Sequence, residues 1–242
     1  MQCVLFLLIS ILILLWAASS VREGLHEDPV FDSVYYINLD KRPHKREQIE
    51  TQLAHLKGLV RETIRVSAVD GSRLSGVVDP KVVSLQGRAD LKNPSKKYGL
   101  TLTRGAVGCA MTHKAIWEDV AASKKDLVLI LEDDAVILPD FREKFSAIIS
   151  ELPATWDILY FGARQYEIEK PVSPHLAQPY RLFGLFGYVI NWRGAERLLK
   201  HVFPLRYQID TELWRNFSTL IPLIAIPFII AEKKGGSDIQ FK

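Results

Sequence analysis

Cysteine, net charge and long apolar runs are all scarce in this chain, and each scarcity removes a class of protein. Its 242 residues include two cysteines, Cys3 in an apolar leader and Cys109 in the body, so no disulfide framework is expected. The formal net charge is only +3, too small for a broad nucleic-acid surface. The basic residues instead gather at Lys41, Arg42, Lys45 and Arg46 and at Lys92, Lys96 and Lys97, which suits local anion binding. No glycine-rich loop ends in Gly-Lys-Ser or Gly-Lys-Thr, which excludes a phosphate-cradling nucleoside triphosphatase. No internal repeat is present. With 48% hydrophobic and 24% charged residues, what remains is a globular chain long enough for one large core.

The single long apolar run is residues 3–18, interrupted only by Ser10. As a helix it would span about 24 Å, short of the roughly 30 Å hydrocarbon core of a bilayer. It reads as a signal peptide or short signal anchor, with Ala17, Ala18, Ser19 and Ser20 offering a cleavage zone and no Lys or Arg ahead of the run. Either outcome directs the remainder into the secretory route, to the endoplasmic reticulum or Golgi lumen or outside the cell. Membrane contact is expected only through residues 1–20, as a type II anchor if uncleaved. The expected organisation is a leader over 1–20, a linker over 21–32 and one domain over 33–242.

In the body, residues 127–134 read LVLILEDD. Five unbroken apolar residues describe a strand buried on both faces of a sheet, and its carboxyl end is where such sheets hold ligands. Glu132, Asp133 and Asp134 repel one another unless a positive charge sits among them, and a hard divalent cation bound by oxygen is the usual solution. A solvated acidic strand end capping the next helix is the plainer alternative. Strand alternation puts Glu132 and Asp134 on one face and Asp133 on the other.

Around this strand, apolar β-rich runs at 34–37, 63–69, 156–161, 185–190 and 220–230 alternate with helical patterns at 43–56, 105–120, 141–152 and 193–202. Pro43 fits a first turn and Gly58 a helix end. Residues 72–104 lose periodicity and read as a functional loop or lid, and 164–179 reads as an irregular proline-bearing stretch. Strands alternating with helices imply an α/β/α sandwich around a mostly parallel sheet.

The blocks YYINLDKRPHKR from Tyr35, SAVDG from Ser67, GAVGCAMTHKAIW from Gly105, LILEDDA from Leu129, DILYFG from Asp157 and GYVINWRGAERLL from Gly187 occur in that order. Together they resemble the family 25 glycosyltransferases, which include lipopolysaccharide glycosyltransferases and procollagen galactosyltransferases. The resemblance implies a Rossmann-like glycosyltransferase-A fold. It also implies transfer of a hexose, galactose or glucose, from a nucleotide diphosphate sugar such as a UDP-sugar to a hydroxyl of a glycan or glycoprotein, with inversion. A cation, Mn2+ or Mg2+, would stabilise the charge that develops on the diphosphate leaving group. Asp134 is the expected principal ligand, supported by Glu132, with Asp238 in the terminal SDI block closing from the other side or serving merely as a solvated tail carboxylate. EDD is not a strict Asp-x-Asp, so which carboxylates touch metal and which touch ribose or sugar stays open.

For the nucleotide, Asn38 and Asp40 end the first strand, Arg42 and Arg46 supply guanidinium forks for phosphate, and Asp70 can accept from ribose. Lys45 reads as a solvated helix face. Gly105 and Gly108 allow close backbone approach, and His113, together with Asp133, is a further donor-side candidate, although a lone His is more often packed in a core. Cys109 reads as a small buried residue. An inverting displacement needs a base opposite the leaving group. Asp210 is the candidate, with Glu212 behind it, unless both are helix amino-terminal charges. The aromatic residues Tyr166, Tyr180, Phe183 and Phe186 would form an acceptor wall. A noncatalytic sugar-binding or chaperone-like relative of the same fold is the competing class.

Overall fold

The computed structural model describes residues 30–76, 78–92 and 101–233. The leader, most of the linker and the terminal block that carries Asp238 lie outside the described residues. An eight-stranded sheet forms the centre, in the order β2 (Thr63–Ser67), β1 (Ser33–Asn38), β3 (Val128–Glu132), β8 (Gly187–Ile190), β5 (Ile158–Tyr160), β9 (Pro222–Ala225), β7 (Leu176–Phe183), β6 (Gln165–Ser173). All but β7 and β8 run in one direction. Two short strands, β4 (Ala135–Ile137) and β10 (Ile230–Glu232), pair antiparallel beside it.

Alternation along the strands explains why they read as continuous apolar runs. In β1, Tyr35 and Ile37 enter one core while Val34 and Tyr36 enter the other; in β3, Val128 and Ile130 divide from Leu129 and Leu131 in the same way. The first core is closed by α3 (Arg104–Ser123), α5 (Trp192–Val202) and α6 (Ile209–Arg215), through Ala106, Trp117, Leu198 and Leu213. The second is closed by α1 (Pro43–Leu53) and α4 (Phe141–Ser150), through Ile49, Phe141, Phe145 and Ile148. Helices therefore cover both faces, as expected of an α/β/α sandwich. Each fully buried Leu, Ile or Phe contributes about 1.5–3 kcal/mol, so the central strands anchor whatever their ends carry.

Local chemistry sets the helix that flanks the site. Thr103 caps α3 by accepting from the Ala106 N–H at 3.0 Å. Lys124, at φ 55, ends it in the left-handed region. The space that Gly108 leaves is filled by the chain itself: a Cβ there would meet the Val69 carbonyl oxygen at 2.4 Å. That contact clamps α3 onto the turn after β2.

Three expectations are corrected. Residues 164–179 are ordered as the hairpin β6–β7, because cross-strand pairing stabilises a segment whose Pro171 and Pro179 fall beside register irregularities. The stretch 72–104 carries a helix, α2 (Leu85–Lys92), among its described residues. The terminal apolar run is two strands, β9 and β10, separated at Pro227, which cannot donate to a ladder.

Candidate active site

The carboxyl ends of β1, β2 and β3 converge, so Asn38, Asp40 and the acidic turn 132–134 come together. β3 stops at Glu132 and the next two residues turn, so the alternation expected for the three carboxylates does not continue. Asp133 and Asp134 instead share one ammonium: Lys45 Nζ lies 3.5 Å from Asp133 Oδ1 and 4.0 Å from Asp134 Oδ2. Asn38 Nδ2 donates to Asp133 Oδ2 at 2.7 Å and to the Arg42 carbonyl at 3.1 Å. Asn38 thereby ties the end of β1 to the acidic turn. Burial, the charge of Glu132 and other nearby carboxylates push the Asp134 carboxyl up to about 7 despite Lys45. Its Oδ1 is buried with no partner among the described residues.

Glu132 meets different surroundings. Its Oε1 lies 3.2 Å from His113 Nε2 and 4.0 Å from Cys109 Sγ. Burial acts to raise its carboxyl, but the hydrogen bond from His113, with Arg164 and Lys45 nearby, holds it below the ordinary range. Glu132 lines a cleft with Cys109, Arg164, Gln208 and Asp210. Asp133 and Asp134 line a second cavity of about 190 Å³ with Gln48, Thr51, Gln52 and Lys233. The acidic turn thus serves two cavities.

Asp210, near the start of α6, is pushed up to about 6 by burial, although the Thr211 N–H donates to its Oδ1 at 2.8 Å and Arg164 lies close. Glu212, one residue beyond Thr211, is committed elsewhere: it accepts the backbone N–H groups of Arg206 and of Tyr207, the latter at 2.6 Å, and so pins the loop before α6. Arg164 forms a fork on Glu232, with Nε 2.5 Å from Oε2.

On the β1–β2 side, Asp40 accepts from Arg65 Nη2 at 2.6 Å and from the Ser67 hydroxyl at 2.7 Å. Asp70 accepts from Lys41 at 2.8 Å and from the Ser72 hydroxyl and N–H, which hold its carboxyl at about 2. The Arg42 backbone carbonyl accepts from Asn38. Arg46 points along its helix to Glu50 at 2.8 Å, so its charge is used on the helix surface.

His113 is fully buried and reaches the cleft through Glu132. Gly105 approaches Gly71 of the chain itself. The structure therefore brings Glu132 and Asp210 to one cleft and Asp133 and Asp134 to its neighbour, with Asn38 between strands. Lys45, read from the sequence as a solvated helix face, is instead largely buried against Asp133 and Asp134, and two residues that the sequence did not single out, Arg164 and Arg65, join it. Lys45 had a signal: a helix that begins at the carboxyl end of β1 sets its first turn over the strand ends. Arg164 and Arg65 had none, because only tertiary pairing brings them in.

In this doubly covered α/β sheet the carboxylate-rich strand end opens on two cavities, at the edge where such sheets hold ligands. The chain belongs to glycosyltransferase family 25: the family described as "Glycosyltransferase family 25 (LPS biosynthesis protein)" matches residues 31–178. The mostly parallel sheet covered on both faces agrees with the α/β/α layering that the resemblance to this family implied. Among curated relatives, the chain is similar to the human "Inactive glycosyltransferase 25 family member 3", at 32% identity over 75% of this chain and 31% of the relative. It is also similar to "Procollagen galactosyltransferase 1-B" of Xenopus laevis, at 29% identity over 70% of this chain and 28% of the relative. The chain thus spans about a third or less of the length of these relatives. Among solved structures, glucosyl-3-phosphoglycerate synthase from Mycobacterium tuberculosis, in complex with Mn2+, UDP and glucosyl-3-phosphoglycerate, aligns with a TM-score of 0.42 and 14% identity, covering 87% of this chain and 75% of that one.

Proposed function

We propose that the chain is an inverting, metal-assisted glycosyltransferase that moves a hexose, galactose or glucose, from a nucleotide diphosphate sugar to a hydroxyl of a glycan or glycoprotein. The observation that carries this reading is the shared cleft of Glu132 and Asp210 beside the half-buried pair Asp133 and Asp134. A carboxylate oxygen buried without a partner, on a carboxyl that burial and like charge push up, is a position that a hard cation would relieve. The oxygen donor set fits Mn2+ or Mg2+. Asp134 would hold it, with Asp238 as a supporting candidate. When bound, such an ion supplies Lewis-acid stabilisation of a diphosphate leaving group.

The chain's own residues would do the rest. Asn38, Asp40, Asp70 and Arg42 stand at the strand ends where a nucleoside diphosphate would lie, and Lys45 carries positive charge between them and the acidic turn. Asp210, with a carboxyl near 6, is ionised at neutral pH yet basic enough to take a proton from an acceptor hydroxyl. The exposed aromatic residues Tyr166 and Tyr180 on the β6–β7 hairpin offer faces to the acceptor. The leader supports a lumenal or secreted setting, with membrane contact only through residues 1–20.

One observation favours a second reading, a noncatalytic sugar-binding relative: Lys45 already neutralises part of the acidic turn, as an internal counter-ion would. Hydrolysis of UDP-galactose and UDP-glucose with and without Mn2+ separates the two. The enzyme reading expects Mn2+-dependent UDP release and thermal stabilisation by the donor with Mn2+. Stabilisation without any turnover, with acceptors present, would sustain the second reading instead.

A further inference from the structure

Behind the cleft, side chains from α3, β8 and β3 form one continuous buried chain. Trp117 Nε1 donates to the Tyr188 hydroxyl at 2.9 Å, that hydroxyl lies 2.7 Å from His113 Nδ1, and His113 Nε2 lies 3.2 Å from Glu132 Oε1. Trp117, Tyr188 and His113 are all 0% exposed, so bulk water cannot complete a missing bond.

The proton positions follow from what each group can do. An indole N–H only donates, so the Tyr188 oxygen accepts it. The Tyr188 proton then has one acceptor in reach among the described residues, His113 Nδ1. A ring nitrogen that accepts leaves the N–H on the other nitrogen, so Nε2–H points at Glu132. In this arrangement every donor is satisfied. The opposite tautomer or an imidazolium would leave the buried Tyr188 proton without an acceptor, an uncompensated desolvation.

The same accounting decides a competing use of these atoms. Cys109 Sγ, His113 Nε2 and Glu132 Oε1 lie within 4.8 Å of one another, a thiolate, imidazole and carboxylate set that suits Zn2+. Ligation would require the lone pair of Nε2, the nitrogen that the chain protonates.

We propose that Trp117, Tyr188 and His113 are positioning residues that hold Glu132 as an oriented, acceptor-only carboxylate at the cleft, where it receives a hydroxyl of the transferred sugar rather than the cation. The proposal rests on the glycosyltransferase reading for the identity of the ligand. The two cavities divide the labour: Glu132 faces the one it shares with Asp210, and Asp133 and Asp134 face the other.

The orientation is tested without turnover. Long-range proton–nitrogen NMR of the full chain, labelled at histidine and assigned by loss of signal in His113→Gln, should show Nε2 protonated and Nδ1 bare. The reverse tautomer or an imidazolium at neutral pH overturns the proposal. So does a cobalt–thiolate absorption band on adding Co2+ that disappears in Cys109→Ser, which would establish the metal site instead. The sugar contact is read by calorimetric titration of UDP-galactose, UDP-glucose and their monodeoxy analogues. Glu132→Gln and Tyr188→Phe should weaken binding of the parent sugar about tenfold, and clearly less for the one analogue lacking the hydroxyl that Glu132 holds. Equal losses across the panel overturn the hydroxyl assignment. If no nucleotide sugar binds the wild-type protein at all, the glycosyltransferase reading fails while the NMR result still decides the orientation.

Discussion

Asp134 and Asp210 are carboxyls that the fold makes harder to ionise, and both lie where chemistry is proposed. For Asp134 the folded value of about 7 exceeds the ordinary 3.8, so its contribution to stability is present below about pH 4 and lost as pH rises to 7. Asp134→Asn keeps the shape and removes the charge. In EDTA at pH 8 the variant should therefore be more stable than wild type, by on the order of 1–3 kcal/mol, with a smaller difference at pH 5, as thermal melts would show. The same variant should lose Mn2+-dependent donor binding. Unchanged donor affinity would remove Asp134 from the cation site. For Asp210, a base must be ionised to act, so transfer should rise with pH through about 6. Asp210→Asn should lower transfer by roughly a hundredfold or more while donor binding survives, and retained transfer would shift the search to Glu132, since Glu212 is engaged with backbone N–H groups.

At the scale of elements, the site depends on how closely α3 lies on the turn after β2. Gly108 makes that approach possible, since any Cβ would strike the Val69 carbonyl at 2.4 Å. Gly108→Ala should destabilise the protein by about 1–3 kcal/mol, the usual scale of overpacking, measurable as a lower denaturation midpoint. It should also displace Thr112, whose hydroxyl accepts from the Val69 N–H at 2.9 Å. An unchanged midpoint would mean that the turn yields easily and that α3 is not clamped. On the opposite edge, Glu151 at the end of α4 accepts from the Ser173 hydroxyl, the His175 ring and the His175 N–H. These bonds hold the carboxyl at about 2 and tie the hairpin to the second core.

For the molecule as a whole, no helix among the described residues is long and apolar enough to cross a membrane; the expected anchor or signal is the apolar run at 3–18. Expression of the full chain in a secreting host, followed by amino-terminal sequencing, should return a chain that starts after the small-residue zone at 17–20 or an intact membrane-bound form. Recovery of the full chain as a freely soluble cytosolic protein would overturn the secretory assignment.

Period and composition alone determined the α/β/α layering, because strands buried on both faces must be apolar throughout and the helices between them must carry one apolar stripe. The same logic located the acidic strand end, since three adjacent carboxylates after an apolar run need no tertiary information to be noticed. Tertiary structure decided the rest. The hairpin β6–β7 was invisible locally because its prolines and charges forbid a strand pattern until a partner strand supplies the hydrogen bonds. His113 could not be separated from a donor contact until both ring nitrogens were seen to be engaged inside the fold. Lys45, Arg164 and Arg65 are surface-like residues in sequence, and they acquire their places only because distant strands end at the same point. The division of Glu132 from Asp133 and Asp134 follows from where β3 stops and turns, a boundary set by packing and hydrogen bonding across the sheet rather than by the residues Glu-Asp-Asp themselves.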